Sequence, residues 1–471
     1  MIKKIINIIK INLKWSIIRL ISSLIIFLYR FKVYIPGIDQ IYIYTMFKIF
    51  DKSETIKANE FAKFFFNKRN TNLITNDFIS VLLQHSGDVK IGRSINNFNE
   101  HGRYILRKIN SSEHLILVEP GRLKKFGHTF FLDAFIKAIR LGLINEKKII
   151  LTGNINEYHP IVTSLYSNCP EVKFDENFFY NKENKKLKNS NIINWDSIRL
   201  KDGNFNDIHV FWNKINRKWN ETKKDIVLNN SNQNLEECID YFKREKKIDI
   251  ENEPFVLLHT RNNVHEKYSD LRNSNIEDHR EAVDFLIKKN IKVIGIGDKE
   301  LKELKLSSNN YLNIKNDANQ KKYIISLVLL SKFGLVSASG PMLTYVAFNK
   351  PYLVTNYTNL KDVIGNERDM IVPKMIFDKA GAIVKMKERF SDFFQNQSSV
   401  QYNRNGYKVR DNTPELIRNS TIEMYKNVIL NEKIDLSENQ KKYINTSEEN
   451  LVSPLIIPHE VEKDFPEFFT N

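Results

Sequence analysis

The chain has almost no cysteine. Cys169 and Cys238 are the two thiols among 471 residues, and neither has the spacing of a metal ligand. This scarcity excludes a disulfide framework and is typical of a reducing compartment. The sequence also lacks an internal repeat. Its 42% hydrophobic and 27% charged residues exclude global disorder, and its length predicts two or three domains.

The sequence has no arginine-rich arm and no nucleic-acid motif, although its net charge is +16. Much of that charge lies at the start, where the first 35 residues hold seven lysines and arginines and no acid. The rest of the chain carries only a mild basic excess. A nucleic-acid partner is therefore not expected.

The first 35 residues contain no apolar run of the about 20 residues that a spanning helix needs. Apolar residues recur there at helical spacing, with lysines on the opposite side, which predicts a basic amphipathic helix over residues 1–35. We expect residues 1–30 to lie on an anionic membrane surface, placing the protein peripherally on the cytoplasmic face of the inner membrane. The alternatives are a spanning helix, a signal peptide and a helix packed on the protein's own core.

Four short apolar runs stand out in residues 254–356, and they read PFVLLH, IKVIGIG, FGLVSAS and PYLVTN. Continuous runs rich in β-branched residues predict strands buried on both faces, and their alternation with helices predicts a parallel sheet. Ligands bind such sheets at the carboxyl ends of the strands. Residues 251–430 are therefore predicted to form an α/β ligand-binding domain.

A second α/β unit is predicted upstream. Residues 113–118 and 147–151 are predicted strands, and residues 129–142 between them are a predicted helix that ends at Gly142 in a left-handed cap. A charged segment at 247–253 marks the predicted boundary, so this domain spans residues 36–250. Residues 431–471 are a predicted tail that packs back on the body through its last phenylalanines.

The loop at residues 337–341 follows the third apolar run and precedes a predicted helix over 342–348. Ser339 is a suitable N-cap, and Gly340 lets the backbone approach a ligand closely. A helix amino terminus offers N–H groups and partial positive charge, which favour a phosphate. The alternative is a capped helix start with nothing bound.

The first apolar run ends in His259-Thr260-Arg261. Strand alternation predicts that His259 and Arg261 lie on one face. An arginine there can clamp a diphosphate with two hydrogen bonds, and a histidine can donate to a phosphate or ribose oxygen. The alternative for Arg261 is a salt bridge to one of three acids just downstream, Asp270, Glu277 or Asp278.

Two further strand ends carry candidate residues. Gly297-Asp298 follows the second apolar run without the spacing of a dinucleotide fingerprint, so an NAD site is not favoured. Asp298 is predicted either to hold a ribose hydroxyl or to cap a following helix. Gly127-His128 opens the predicted helix of the first domain, and His128 is suited to proton exchange near neutral pH. The alternative for His128 is an ordinary surface residue.

The motifs over about residues 252–425 resemble those of a family of bacterial glycosyltransferases from surface-polysaccharide gene clusters. The His-x-Arg pattern is similar to the donor-phosphate site of several GT-B fucosyltransferases. The residues that carry the resemblance are His259, Arg261, Arg272-Asn273-Ser274, Ile276, Gly297-Asp298, Ser339-Gly340, Val372-Pro373-Lys374 and Asp411-Asn412-Thr413-Pro414.

The resemblance implies a GT-B-like fold, with two Rossmann-like domains facing each other across a cleft. It assigns residues 251–430 to the nucleotide-sugar and residues 36–250 to the acceptor, and it places Arg272, Asn273 and Lys374 at the donor pocket. Ser274 or Asn275 is the predicted cap of a helix over 276–289. The chain departs from the family at His279, where relatives tend to have an aromatic residue, and this difference is expected to affect helix packing more than the site.

The sequence lacks an Asp-x-Asp motif at a strand end, so we expect a metal-independent glycosyltransferase with no cofactor beyond its nucleotide-sugar donor. Arg261, the helix start at Ser339-Gly340 and Lys374 would stabilise the leaving diphosphate. His128 would act as the base of an inverting reaction on a glycan or lipid-linked acceptor, a role that a retaining reaction would not need. The alternatives are another transferase of glycan assembly, acting on pyruvyl or phospho-sugar groups, and a non-catalytic membrane-bound scaffold.

Overall fold

In a computed structural model of the protein, the residues described are 106–109, 115–118, 123, 126–178, 192–193, 198–199, 205–206, 208–222, 227–228, 232–262, 270–394, 399–450 and 452–470. They lie in one compact unit, residues 106–471. The predicted helix at 1–35 lies outside the described residues. In the described part of the chain, no helix is both long and apolar enough to cross a bilayer. The predicted domain boundaries at 250 and 430 stay predictions.

The first sheet has five strands in the order β4-β3-β2-β1-β5. Its strands are β1 Leu106–Ile109, β2 Leu115–Val118, β3 Lys148–Thr152, β4 Val172–Asp175 and β5 Ile192–Ile193. Strands β2, β3 and β4 are parallel, whereas β1 is antiparallel to both of its neighbours. Helix α1, Phe131–Arg140, connects β2 to β3, and α2, Pro160–Tyr166, connects β3 to β4.

These elements confirm the βαβ unit predicted from residues 113–151. Helix α1 is preceded by a 3-10 turn, Phe126–Phe130. Gly142 follows the helix with a φ of +68°, as the predicted left-handed cap requires. A short antiparallel pair, β6 Ile198–Arg199 and β7 Phe205–Asn206, lies further along the chain.

The second sheet has six strands, all parallel, in the order β10-β9-β8-β11-β12-β13. Its strands are β8 Phe255–His259, β9 Lys292–Gly295, β10 Tyr311–Asn313, β11 Phe333–Ser337, β12 Tyr352–Tyr357 and β13 Met370–Pro373. The four predicted apolar runs are β8, β9, β11 and β12, so the prediction of a parallel α/β sheet is confirmed. An antiparallel pair, β14 Met375–Phe377 and β15 Lys408–Arg410, follows.

The strand order of the second sheet is one for which the usual position of ligands is known. It is the doubly wound order, in which the chain starts at a central strand, builds one side of the sheet and then crosses to build the other. Strand β8 is that first strand, and β11 is its neighbour across the switch point. His259 and Ser337 end these two strands, so the loops that follow both lie where such sheets bind ligands.

Helices cover both sheets and the carboxyl-terminal part of the chain. After α2 they are α3 Ile208–Glu221, α4 Asn232–Tyr241, α5 Arg280–Lys288, α6 Gln320–Leu330, α7 Gly340–Ala347, α8 Met386–Arg389, α9 Ser399–Arg404, α10 Pro414–Val428, α11 Glu438–Glu449 and α12 His459–Asp464. The helix predicted over 276–289 is a 3-10 turn, Ile276–His279, followed by α5. The helix predicted over 342–348 starts earlier, at Gly340.

The carboxyl-terminal residues pack on the body. Phe468 and Phe469 are buried, and Ile456 forms a parallel bridge to Met370 of β13. Helix α3 makes a further link, because its Asn213 side chain donates to the Val363 carbonyl at 3.0 Å. The loop between β12 and β13 of the second sheet therefore contacts a helix that packs on α1, which belongs with the first sheet.

Candidate functional site

A hydrogen bond ties together two neighbouring strand ends of the second sheet. The backbone N–H of Arg261 donates to Ser337 Oγ at 2.7 Å, and Ser337 is fully buried. The carbonyl of Arg261 accepts from the backbone N–H of Ser274 at 2.8 Å. The backbone of Arg261 is therefore fixed on both sides. Arg261 is half-buried and lies two residues beyond the end of β8, bonded to the last residue of β11.

Two of the carboxylates predicted as alternative partners of Arg261 interact within their own turn. Glu277 pairs with Arg280, at 2.6 Å between Oε2 and Nη2. Asp278 Oδ1 accepts from the Asn275 amide at 3.1 Å. Glu277 and Asp278 thus stabilise the start of α5. The role of Arg261 as an anion ligand stays a prediction.

His259 is buried at the end of β8, and its protonation follows from its contacts. Nδ1 lies 3.2 Å from the Ile296 carbonyl, which can only accept, so Nδ1 carries the proton. Burial lowers the pKa of His259, and Arg261 lowers it further, while the bond to Ile296 and the charge of Asp298 oppose the shift. The neutral ring has its lone pair on Nε2, which suits a ligand hydroxyl better than a phosphate oxygen.

Ser339 occupies the N-cap position of α7 without capping it. Its backbone is extended, with φ of −156° and ψ of 177°, but its hydroxyl donates back to the Ser337 carbonyl at 3.0 Å. The predicted N-cap position is therefore confirmed, but Ser339 makes no side-chain cap bond. Because the side chain does not accept from the first turn of α7, the N–H groups of that turn are left to other partners.

The start of α7 touches the turn that precedes α1. A Cβ built on Gly127 would lie 2.5 Å from the Gly340 Cα, and one built on Gly340 would lie 3.0 Å from the Gly127 nitrogen. No side chain fits at either position without moving backbone. His128 is the next residue in this turn, half-buried, with its ring 5.9 Å from that of Phe131. The structure thus brings the predicted His128 loop against the predicted Ser339-Gly340 loop.

His159 belongs to the same region and was missed in the sequence. It is the N-cap of α2, where Nδ1 accepts from the Ile161 N–H at 3.3 Å. Its ring lies 5.6 Å from that of Phe126, measured between centroids. Burial lowers the pKa of His159, and the positive charge of Lys321 adds to the shift. The rule that draws ligands to the carboxyl ends of strands would have found it, since His159 lies between β3 and α2.

Gly297 and Asp298 form the turn after β9. The side-chain amide of Gln320 accepts from the Gly297 N–H and donates to the Gly297 carbonyl, each at 2.8 Å. Gly297 has a φ of +154°, and a Cβ there would lie 2.7 Å from Leu301. Asp298 is exposed and a turn follows it, so the predicted helix cap is wrong and the predicted ribose contact stays a prediction.

Lys374 and Asn273 lie together, and the side chain of Lys374 is buried. The ammonium of Lys374 donates to Asp411 Oδ1 at 2.7 Å and to the Asn273 carbonyl at 2.8 Å. The Lys374 side chain is 4% exposed and that of Asp411 is 49% exposed. The charge of Lys374 is therefore already met within the protein. Arg272, also predicted at the donor pocket, is exposed.

A buried polar network holds the segment around Ser274. Asn356, with a φ of +55°, and Asn412 exchange hydrogen bonds between backbone N–H groups and side-chain oxygens at 2.6 and 2.7 Å. Ser274 Oγ accepts from the Asn356 amide at 2.7 Å. Ser274 is thus part of this network, while Asn275 caps the following turn by accepting from the Glu277 N–H.

His279 packs between the start of α5 and strand β12 of the second sheet. It is fully buried, with Nε2 at 2.9 Å from Thr355 Oγ1 and Nδ1 at 3.2 Å from the Asn275 carbonyl. Burial lowers the pKa of His279 to about 4. In the described ranges, no three His, Cys, Asp or Glu side chains gather as a metal site requires.

The sequence matches no protein-family model and no curated protein. Among solved structures, it is similar to the glycosyl transferase family 9 protein from Veillonella parvula DSM 2008, with a TM-score of 0.36 and 8% identity over 68% of this chain and 96% of that chain. It is also similar to the E. coli ADP-heptose lps heptosyltransferase II, with a TM-score of 0.25 and 11% identity over 48% of this chain and 66% of that chain. Both TM-scores are below 0.5.

Proposed function

We propose that this chain is a glycosyltransferase that moves a sugar from a nucleotide-sugar donor to a glycan or lipid-linked acceptor. The observation that carries the proposal is the backbone contact between Gly127 and Gly340. Glycosyl transfer needs a cradle for the leaving group and a proton acceptor on the two sides of one carbon atom. The contact puts the His128 turn beside a helix start of the kind that binds phosphate.

The donor diphosphate would lie at the ends of β8 and β11. Arg261 supplies a fork of charged donors there, and the first turn of α7 supplies N–H groups and partial positive charge. The bond from Arg261 N–H to Ser337 Oγ fixes the spacing of these two groups. Such preorganised positive charge stabilises a leaving diphosphate as its bond to the sugar breaks. His259, with its lone pair on Nε2, is suited to a ribose hydroxyl.

The transfer would be inverting and would not use a metal. The acceptor oxygen forms a bond to the anomeric carbon while the bond from that carbon to the diphosphate oxygen breaks. The leaving nucleotide takes the electron pair, and His128 takes the proton of the acceptor hydroxyl. Arg261 and α7 meet the negative charge that develops on the diphosphate.

The amphipathic pattern of residues 1–30 supports a place for this activity at an anionic membrane surface, on the cytoplasmic face of the inner membrane. Flotation of the full chain with vesicles tests this proposal. Binding to vesicles that contain phosphatidylglycerol, lost in 0.5 M salt or on replacing Lys3, Lys4, Lys10 and Lys14 by glutamine, would support it. If neutral vesicles bound as much of the protein as anionic vesicles do, an electrostatic attraction to the membrane would be contradicted.

A thermal-shift comparison with UDP, GDP, ADP, TDP and CMP tests the donor site. We expect one nucleotide to raise the Tm of the wild-type chain and to lose that effect in Arg261→Ala, with unchanged circular dichroism. His128→Ala should keep the shift and lose transfer by about 10²–10⁴-fold, the usual contribution of a general base. A pyruvyl or phospho-sugar transferase would respond to none of these nucleotides. A scaffold would tolerate alanine at Arg261 and Ser339 in a glycan-assembly assay.

A further inference from the structure

An open pocket of about 540 Å³ begins one residue beyond Arg261. Asn262 forms part of its wall, and the backbone bond from Ser274 to Arg261 joins another part of the wall to the end of β8. Asn403 of α9 and Asp411, which follows β15, also line the pocket. The volume falls within the range of about 300–1,000 Å³ that is usual for small-molecule sites.

The wall of this pocket is polar but nearly neutral. Asn262, Asn273, Asn275 and Asn403 line it, together with two serines. Its charged residues are Lys302, Lys374 and Asp411, and the ion pair between Lys374 and Asp411 cancels two of these charges. A diphosphate needs concentrated positive charge. This wall offers amide and carboxylate groups instead, which exchange hydrogen bonds with hydroxyls.

Several of these polar groups are available to a ligand. Asn262 and Asn403 make no side-chain hydrogen bond within the described part of the chain, so their amides can donate and accept. Asp411 uses Oδ1 for Lys374, and its half-exposed carboxylate keeps Oδ2 for a second donor. Leu271 and Val409 add apolar surface between the polar groups. Hydroxyl partners interrupted by small apolar patches suit a sugar ring, which alternates O–H and C–H groups.

We propose that this pocket binds the glycosyl group, as one hydroxyl-rich sugar residue carrying no more than a single negative charge. Asn262, Asn403 and Asp411 form hydrogen bonds with the hydroxyls of the sugar. Lys302, which is exposed, is the one charge that the described residues of the wall carry outside the Lys374–Asp411 pair, so it can balance a single negative charge on the sugar. The inference rests on the proposed function in assigning that sugar to the nucleotide donor. It also changes the predicted role of Lys374, which positions Asp411 for the sugar and does not contact the diphosphate.

The test compares the affinity of each nucleoside diphosphate with that of its nucleotide-sugar, by calorimetry on the full chain. Asn403→Leu should weaken the nucleotide-sugar about tenfold, the equivalent of one or two lost hydrogen bonds, and leave the bare diphosphate unchanged. Asn405→Leu is the matched control, because Asn405 follows α9 and lies outside the pocket wall. Equal weakening of both ligands, or no change in either, would overturn the proposal.

A second measurement separates this proposal from the proposed function. If the wild-type chain binds no nucleotide, the donor assignment fails, and saturation-transfer NMR with glucose, galactose, mannose, fucose, N-acetylglucosamine and glucuronate decides the pocket. A transfer signal that Asn403→Leu removes and Asn405→Leu keeps would support a sugar site independent of nucleotides. Absence of any signal from the wild-type chain would then reject the pocket as well.

Discussion

Gly127 and Gly340 meet backbone to backbone; Gly127 has no room for a side chain, and a Cβ on Gly340 would be tightly packed. The Gly340 Cα would lie 2.5 Å from a Cβ at Gly127. One glycine belongs to the turn before α1 and the other begins α7. We call this backbone contact the joint. The candidate base His128 and the candidate phosphate cradle flank it, so the distance between Gly127 and Gly340 sets the distance between the base and the cradle.

We expect Gly127→Ala to disrupt this joint. The added methyl group meets backbone, which cannot rotate away, so overpacking should cost about 1–3 kcal/mol in the free energy of unfolding and reduce transfer activity. Gly142→Ala is the control, because a methyl group there meets nothing within 4 Å and only the φ of +68° opposes it. Urea unfolding and transfer assays on both variants provide the measurement. Full activity in Gly127→Ala would show that the joint does not set the site.

Ser337→Ala should lower stability and donor affinity together. It removes the acceptor of the Arg261 N–H, and leaving such a buried donor unsatisfied costs about 1–3 kcal/mol. Ser339→Ala should cost less stability, because the Ser339 hydroxyl only donates to the Ser337 carbonyl. Chemical unfolding and nucleotide titration compare the two variants. A larger loss of stability in Ser339→Ala than in Ser337→Ala would contradict the importance of the hydrogen bond between Arg261 and Ser337.

Asp411→Asn should be more destabilising than Lys374→Met. The first leaves the ammonium of Lys374 buried among neutral oxygen acceptors without a counter-charge, whereas the second leaves Asp411 half-exposed to water. Removing one partner of a fully buried pair costs about 3–5 kcal/mol, and the exposure of Asp411 should reduce that figure. A double-mutant cycle measured by urea unfolding gives the coupling. The reverse ranking of the single variants would refute the burial argument.

The free energy of unfolding should decrease as the pH is lowered, because His279 is buried in its neutral form. Burial lowers its folded pKa to about 4 from an ordinary 6.5, so between these values the unfolded state binds a proton that the folded state does not. The group therefore stabilises the fold above pH 6.5, and this contribution is lost as pH falls toward 4. At pH 5 the loss should be about 2 kcal/mol. His279→Phe should flatten this part of the pH profile in urea unfolding at pH 7.5 and 5, and an unchanged slope would exclude His279 as its source.

Several buried strands were predictable because their physics is local, although β13, which is also buried throughout, was not predicted. Every residue of β8, β11 and β12 is buried, so continuous apolar runs identify them. Strand β10 was missed because its three residues are only half-buried and show no clear pattern. The placement of both loops at strand ends followed from the parallel order of the strands, which a sequence can indicate.

The contacts within the site depended on packing between distant segments and could not be predicted. Ser274 and Asn275 are equally good caps by residue type, and only the position of Asn356 shows that Ser274 bonds elsewhere. The resemblance alone placed Lys374 at the donor pocket, and nothing local in the sequence indicates that its partner is Asp411, which follows another strand. Nothing local in the sequence indicates that Gly127 and Gly340 meet.

The bond between Arg261 and Ser337 joins positions 76 residues apart, and this separation has a consequence during synthesis. At about 5–20 residues per second, β8 leaves the ribosome roughly 4–15 s before β11 does. In that interval β9 can pair with one edge of β8, while the N–H and C=O groups of its other edge have no partner strand until β11 is made. The proposed phosphate cradle therefore cannot form until β11 has been made, and a chain interrupted before residue 337 would expose an unpaired strand edge, which favours aggregation.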